Sequence, residues 1–517
     1  MAARTRFPAG IALESHKRAD WVLPVRHLPL PSRVVLSLDP GTGAAAEPVV
    51  SVGDVVARGA VVGRASSPFS ANVHASIAGT VIAVEERESA TPGGVSLCVI
   101  IARTEAETVA PLQRPAPDVS ALDAAQLQQA LRDAGFAGLG GAGFPTATKL
   151  DAARGRSVHT LLLNGAECEP WISCDDALMQ TAADDVIVGA GVLRHACGAT
   201  ACIVAIEDDK PAAIAAVTSA IERARDPAMT LAIVPAVYPR GAERQLITAV
   251  TGVETPSGGL PVDAGIVCQN VATAAAVARW ARHGEPLLSR IVTVTGSGVA
   301  SPCNVHAPLG TPLAELVTAA GGYQGTPLRL IAGGNMTGLA LPSDEVGLGK
   351  ATNCVFVATG ADLAPRLDAF EHPCIRCGDC ADVCPAGLLP QQLHRAALAD
   401  EHGTLRDLGV FDCIDCGLCD YVCPSQIPLA HRFRLARGRL RETDAAARKA
   451  EAARERHEQR QRRLRDEAAE QQRAFDAVRG QALAADGRAS ATRGDADNDT
   501  AGKAGGITGS GPPGVTH

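Results

Sequence analysis

A chain of 517 residues with 46% hydrophobic and 20% charged residues has enough apolar surface for several cores, and roughly three to five domains are expected. A formal charge of −8 excludes a basic nucleic-acid binder. The nearest approach to a membrane span, Val186 to Ile206, is broken by Arg194 and His195, and the stretch Phe7 to Leu13 behind Arg4 and Arg6 is broken by Pro8 and Gly10. Neither a spanning helix nor a secretory leader is expected, so the sixteen cysteines are not a disulfide framework.

From Pro31 to about Arg103 short apolar and polar runs alternate between turn signals at Gly53-Asp54, Gly59, Gly63, Gly79 and Gly93-Gly94, the pattern of a small all-β unit at 31–105. Val49 to Ala65 and Ala71 to Val84 resemble the two halves of a biotinyl/lipoyl-type barrel-sandwich hybrid. The lysine that carriers of that fold modify is absent from Asn72 to Thr80, which implies a structural role. A Pro-rich linker, Pro111 to Pro117, leads to an amphipathic helix at Leu122 to Ala134, and alternating strands and helices up to about Trp280 predict an α/β domain at 118–282. Arg290 to Thr295 reads as a strand, and Thr311-Pro312 predicts a helix start before Leu313 to Ala320. This unit, 288–345, resembles the β-grasp module called SLBB. Beyond Arg432 the Ala, Arg, Glu and Gln content predicts a solvated helix to about residue 485, with Arg460 to Arg465 on its polar face and a disordered end after it, within 433–517.

Cys374, Cys377, Cys380 and Cys384, followed by Pro385, form CxxCxxCxxxCP, and Cys413, Cys416, Cys419 and Cys423, followed by Pro424, repeat it inside 365–432. Three closely spaced thiolates fit one loop wrapped around a cluster corner, and the fourth lies beyond a turn and reaches the opposite cluster. One 4Fe-4S cluster is therefore expected on Cys374, Cys377, Cys380 and Cys423, the other on Cys413, Cys416, Cys419 and Cys384. Zinc sites prefer paired CxxC knuckles, and inert buried thiols would not repeat a spacing. The other eight cysteines (Cys98, Cys168, Cys174, Cys197, Cys202, Cys268, Cys303 and Cys354) lack ligand spacing and read as small buried hydrophobes, with Cys168 the one to watch. No histidine, His306 included, is needed as a ligand.

The run Gly138-Leu139-Gly140-Gly141-Ala142-Gly143-Phe144-Pro145-Thr146, with Lys149 after it, can turn backbone N–H groups toward a phosphate or form only a tight turn; no Gly-Lys-Ser/Thr follows, so it is not a P-loop. It closely resembles GRGGAGFPTGLK of the 51-kDa flavoprotein subunit of respiratory complex I. In the same order, Asn164 to Pro170 (NGAECEP) resembles that family's NADEGEP, and Cys268 to Thr273 (CQNVAT) its VNNVET. The resemblance implies that Gly138, Gly140, Gly141, Gly143, Phe144 and Lys149 hold FMN and a dinucleotide, and that Asn164, Glu167, Asn270 and Thr273 complete the flavin pocket. Glu169 and Tyr238 to Glu243 would stand on the nicotinamide side. Ala166, Cys168 and Arg240-Gly241-Ala242-Glu243 replace that family's Asp, Gly and Cys-Gly-Glu-Glu.

The order of all parts, from about residue 10 to 435, resembles the RnfC family more closely. It runs barrel-sandwich unit, GGAGFPT loop, NGAECEP, YPxGAE, SLBB unit, Gly333-Gly334-Asn335-Met336 and two ferredoxin boxes, with Asn335 and Thr337 where that family suggests Pro and Met. The implied fold is a multidomain α+β and α/β chain: a β barrel-sandwich hybrid, a Rossmann-like FMN/NADH domain, an SLBB β-grasp unit, a two-cluster ferredoxin-like domain and a helical then disordered tail. The implied function is electron transfer through FMN and two 4Fe-4S clusters, with NADH as substrate. The protein would sit peripherally on the cytoplasmic face of the inner membrane, in an ion-translocating Rnf-type complex with a ferredoxin-like subunit. No acid–base triad is implied. Two other readings stay open at this point: a soluble flavin and iron–sulfur reductase, such as the cobalamin reductase of microcompartments, and a cluster relay without flavin, for which Ala166 speaks.

Overall fold

Parallel strands buried on both faces build the centre of the molecule. In a computed structural model describing residues 10–104, 115–363 and 370–491, the order is Met229–Val234, Ala201–Glu207, Thr160–Gly165, Ile266–Asn270, all parallel. Thr160–Gly165 lies between a strand that follows it directly and one that follows much later, so the connections leave it in opposite directions. Such a switch point opens a crevice at the carboxyl ends of the strands, here at Gly165 and Asn270. Helices Cys174–Cys197 and Val271–His283 cover one face; at Gly189 a Cβ would stand 1.8 Å from the Ala274 carbonyl oxygen, so only glycine lets the two backbones approach this closely.

The apolar stretch Val186 to Ile206 divides between the buried end of helix Cys174–Cys197 and strand Ala201–Glu207. No helix among the described residues is long and apolar enough to cross a membrane. The predicted amphipathic helix is Ala124–Asp133, opened by a reciprocal capping box in which Asp123 accepts from the Gln126 amide at 2.8 Å.

The barrel-sandwich unit has two antiparallel sheets, ordered Arg33–Ser37, Val95–Arg103, Gly79–Glu88, Val55–Val56 and Ala46–Pro48, Val61–Ala65, Val73–His74. Its hairpin tip, where carriers bear their lysine, is docked: the Asn72 carbonyl accepts from Lys350 Nζ at 2.7 Å and the Asn72 side-chain amide donates to the Asp133 carbonyl at 3.1 Å.

A further, six-stranded sheet is ordered Arg26–His27, Cys303–Pro308, Ser289–Thr295, Cys354–Ala358, Arg329–Ala332, Leu339–Leu341. It takes one strand from before the barrel sandwich and a fully buried one, Cys354–Ala358, from beyond residue 345. Both lie outside the range in which the sequence places this unit. Its helix, Leu313–Ala319, starts at Pro312 as N-cap without a side-chain cap, because the Thr311 hydroxyl donates instead to the Pro308 carbonyl at 2.8 Å.

The cluster boxes follow, and Leu429 begins a helix that continues to Ala491. The chain forms two units, one ending at Arg437 and the other beginning at Gly438. The start of the Pro111 to Pro117 linker, residues 364–369, the first nine residues and the end of the tail from 492 lie outside the described residues.

Candidate functional site: an open cavity beside two cysteine boxes

At the switch point a cavity of about 170 Å³ that opens to solvent is lined by Gly140, Asn164, Glu167, Glu169, Tyr238 and Asn270 of the residues singled out in the sequence. Cys416 of the second cysteine box also lines it, as do Asp175, Asn353 and Ile414, which no spacing in the sequence announces.

The glycine loop is pinned from three sides. Gly138 donates to the Phe144 carbonyl at 2.8 Å, the Leu139 amide donates to Thr273 Oγ1 at 3.0 Å, and the Leu139 carbonyl accepts from the buried Arg290 guanidinium at 2.9 Å. Thr273 is thus a fully buried support of the loop, and Arg290 is a support that the sequence did not disclose. Gly141 (φ +106°) and Gly143 (φ +64°) occupy left-handed backbone, and a Cβ on Gly143 would stand 2.6 Å from the Pro40 carbonyl oxygen. Among the described residues, the amides of Gly140, Gly141, Ala142 and Gly143 donate to no protein acceptor. Consecutive free amides in a glycine turn fit an anionic phosphate.

Lys149 and Glu243 do not line the cavity but pair with each other at 2.6 Å, and Lys149 also donates to the Cys268 carbonyl at 3.2 Å. Burial, the largest single effect, would lower the Lys149 ammonium, but Glu243 and Cys268 together outweigh it and the net shift is upward. The Asn164 amide donates to the Gly241 carbonyl at 2.8 Å, tying the NGAECEP loop to the YPxGAE loop. Glu167 accepts from the Asp175 amide at 2.8 Å, and Asp175 accepts from the Asn270 amide at 2.7 Å. Burial raises Glu167 to about 7 and raises Asp175 as well. Glu169 accepts from the amides of Met336 and Thr337 at 2.7 and 2.9 Å and from the Thr337 hydroxyl at 2.9 Å, so the departure at Thr337 supplies a donor. Cys168 lines the cavity, but burial pushes its thiol up to about 12 and it accepts the Gly241 amide at 3.2 Å, which makes it an inert neighbour.

The cysteine boxes repeat in backbone as well as in sequence. Positive φ recurs at Arg376 and Asp415, at Gly378 and Gly417, and at Gly387 and Gln426, and short helices Asp379–Asp382 and Leu418–Tyr421 follow the glycines at 378 and 417. A cavity of about 370 Å³ is lined by Cys374, Cys377, Cys380 and Cys423, together with Gln391 and His394. Cys384, from the first run, is an electrostatic neighbour of Cys413 and Cys416. Cys423 of the second run thus lies with the thiols of the first, and Cys384 of the first run lies near Cys413 and Cys416 of the second, a crosswise approach whose chemistry fits iron–sulfur ligation. Cys374 and Cys377 are exposed, whereas Cys416 lines the switch-point cavity and its carbonyl accepts from the buried Tyr238 hydroxyl at 2.6 Å. Arg437 fixes the same loop by donating to the Cys413 carbonyl at 2.6 Å and to Asp415. The seven remaining unassigned cysteines, Cys168 aside, are buried.

Comparison with known families places residues 5–106 in the RnfC barrel sandwich hybrid domain, 131–279 in the Nuo51 FMN-binding domain, 291–340 in the SLBB domain and 373–428 in a 4Fe-4S dicluster domain. The RnfC protein of the ion-translocating oxidoreductase complex of Rhodobacter capsulatus is 39% identical over 435 residues, 84% of this chain and 83% of that protein. The chain belongs to this family. The RnfC protein of Pseudomonas aeruginosa is 45% identical over 467 residues, 90% of this chain and 59% of that one. That of Vibrio cholerae is 40% identical over 471 residues, and the chain spans 60% of its length. A solved NAD+-reducing [NiFe]-hydrogenase structure aligns with 62% of this chain and 66% of its own at 22% identity and a TM-score of 0.45. The multidomain architecture expected from the sequence is thereby established, and FMN and iron–sulfur clusters are its cofactors.

Proposed function

We propose that the chain is the peripheral electron-transfer subunit of an ion-translocating Rnf-type complex, with FMN and two 4Fe-4S clusters as cofactors, exchanging electrons between NADH and a ferredoxin-like subunit. It would act at the cytoplasmic face of the inner membrane. The observation that carries this reading is the shared wall: Gly140 of the glycine loop and Cys416 of the second cysteine box line one cavity, and Tyr238 spans from it to the Cys416 carbonyl.

When bound, FMN supplies the conversion between the two-electron chemistry of NADH and the one-electron chemistry of the clusters. The protein's own part is positioning. The glycine-loop amides and the Asn164, Asn270 and Thr273 network fix where a flavin nucleotide lies, and Glu169 closes the Met336-Thr337 segment over the same cavity. Tyr238 and Arg437 hold the Cys413–Cys419 loop at the cavity wall. The exposed Cys374 and Cys377 put the other thiol set at the surface, where a redox partner has access.

Anaerobic purification with iron and flavin quantitation and an NADH-reduction spectrum tests this. About eight irons, released FMN and bleaching of the cluster absorbance by NADH support it. About eight irons without flavin or NADH response would reduce the chain to a relay, and few irons would overturn the cluster assignment.

A further inference from the structure

The segment preceding Leu23 belongs to no sheet of the barrel sandwich, and its one helix among the described residues is the short Ala19–Val22. It nevertheless reaches both loops that line the switch-point cavity, 166–169 and 238–242. Ile11 and Tyr238 exchange two backbone hydrogen bonds, at 2.9 and 3.0 Å, and the Ser15 carbonyl accepts the Trp171 amide at 2.9 Å. Lys17 Nζ donates to the Glu167 carbonyl. The His16 ring lies flat against Trp171, with centroids 4.5 Å apart and planes 7° apart, and Trp21 stacks on the same indole at 6.2 Å. The far end is fastened by Asn304, whose amide donates to the Val22 carbonyl at 3.2 Å and to Ser173 Oγ at 2.9 Å.

Two features show that these contacts hold the loop and do more than cover it. Trp171 has φ +71°, left-handed backbone that a bulky residue keeps only when its surroundings over-determine it. The Ser15 bond and the His16 stack supply that constraint directly after Glu167, Cys168 and Glu169, which line the cavity. Charge is the second feature. Glu167, Glu169 and Asp175 line the cavity and Glu207 stands behind them, a setting that repels an anionic nucleotide. Lys17 acts favourably on all four carboxylates, and Lys210 on Glu167, Asp175 and Glu207.

We propose that residues 11–21 form a strap that is a further positioning element of the flavin site, with Lys17 as its positioning residue, holding loops 166–171 and 238–242 in their cavity-lining course. The proposal rests on the flavin reading of the cavity for its ligand, though not for the mechanics of the loops.

The test uses full-length protein carrying Lys17→Met, Lys17→Arg, His16→Ala or Ile11→Pro, with iron content as the check on folding. Amide hydrogen exchange at Trp171 and Tyr238 is measured on flavin-stripped protein, and FMN affinity by titration. Lys17→Met and Ile11→Pro should speed exchange at these amides and weaken FMN binding, each by roughly tenfold. Lys17→Arg should restore both. If Lys17→Met loses iron, His16→Ala decides, since it alters only a stacked ring at the surface; it should speed exchange at Trp171 by a few-fold, of the order expected for one lost aromatic contact. Variants that fold with wild-type exchange rates and wild-type FMN affinity overturn the proposal. Wild-type protein that takes up no FMN would sink the flavin reading instead, and the exchange rates alone would then decide whether the strap holds the loops.

Discussion

Glu167 is buried and Lys350 half-buried, and their titrations run in opposite directions. Burial raises the Glu167 carboxyl from 4.5 to about 7, so the folded chain keeps a proton that the unfolded chain releases; stability from this group is lost as pH rises through 7. Burial lowers the Lys350 ammonium from 10.5 to about 7, so the folded chain holds less proton than the unfolded one above neutrality, and stability from this group grows as pH rises. Between about pH 6 and 8 each contributes about 1 kcal/mol, with opposite sign. Urea titrations should therefore find the wild type nearly flat over that window. Glu167→Gln should gain about 1 kcal/mol on going from about pH 6 to 8, and Lys350→Met should lose about as much. Parallel slopes in all three proteins would show that these groups do not titrate as their burial dictates.

Among the elements, the tightest constraint is the contact between helices Cys174–Cys197 and Val271–His283. Gly189→Ala places a methyl where the Ala274 carbonyl already is, so the helices must separate, and a loss of more than about 2 kcal/mol in urea unfolding is expected. The helices flank the strand ends that carry Asn164 and Asn270, so the same substitution should weaken FMN binding. The crosswise cysteine arrangement makes a sharper prediction. Cys384→Ser should abolish the paramagnetic signal of the cluster held by Cys413, Cys416 and Cys419, although Cys384 lies in the other run. Cys423→Ser should abolish that of the cluster held by Cys374, Cys377 and Cys380. Loss of the signal belonging to each residue's own run would mean that the boxes close on themselves.

Taken as a whole, the molecule concentrates its chemistry in one part: the unit ending at Arg437 contains the cavity, both cysteine boxes and Arg437 itself, which secures the Cys413 and Asp415 loop. Chain terminated after Arg437 should keep the iron and FMN content of the full chain. Loss of iron in that variant, measured after anaerobic purification, would show that the unit beginning at Gly438 supports the cluster loops. The barrel sandwich, the parallel sheet and the six-stranded sheet meet around the glycine loop and the cavity, and the seams between them carry polar ties: Lys350 to Asn72 and Gly135, Arg290 to Leu139, Glu169 to Met336 and Thr337. Buried seams of this kind fix register, because a shifted neighbour leaves a desolvated group unpaired.

The repeated cysteine spacing, the glycine run and the two loops after it were legible without coordinates, because ligand geometry and positive φ constrain residue type locally. Side-chain periodicity likewise exposed the α/β domain and the amphipathic helix at its start. What the chain order hid is what lies far apart in it: strand Arg26–His27 and strand Cys354–Ala358 joining one sheet, Arg290 holding Leu139, and Ile414 and Cys416 facing Gly140. None of these has a local signature, since a carbonyl or a valine serves equally well wherever packing needs one. Which chemistries the chain carries was written in residue spacings that no other role requires. Which cysteine set adjoins the cavity, and that the N-terminal segment reaches its loops, was set in three dimensions, because both depend on long-range burial and hydrogen bonds formed after the elements pack.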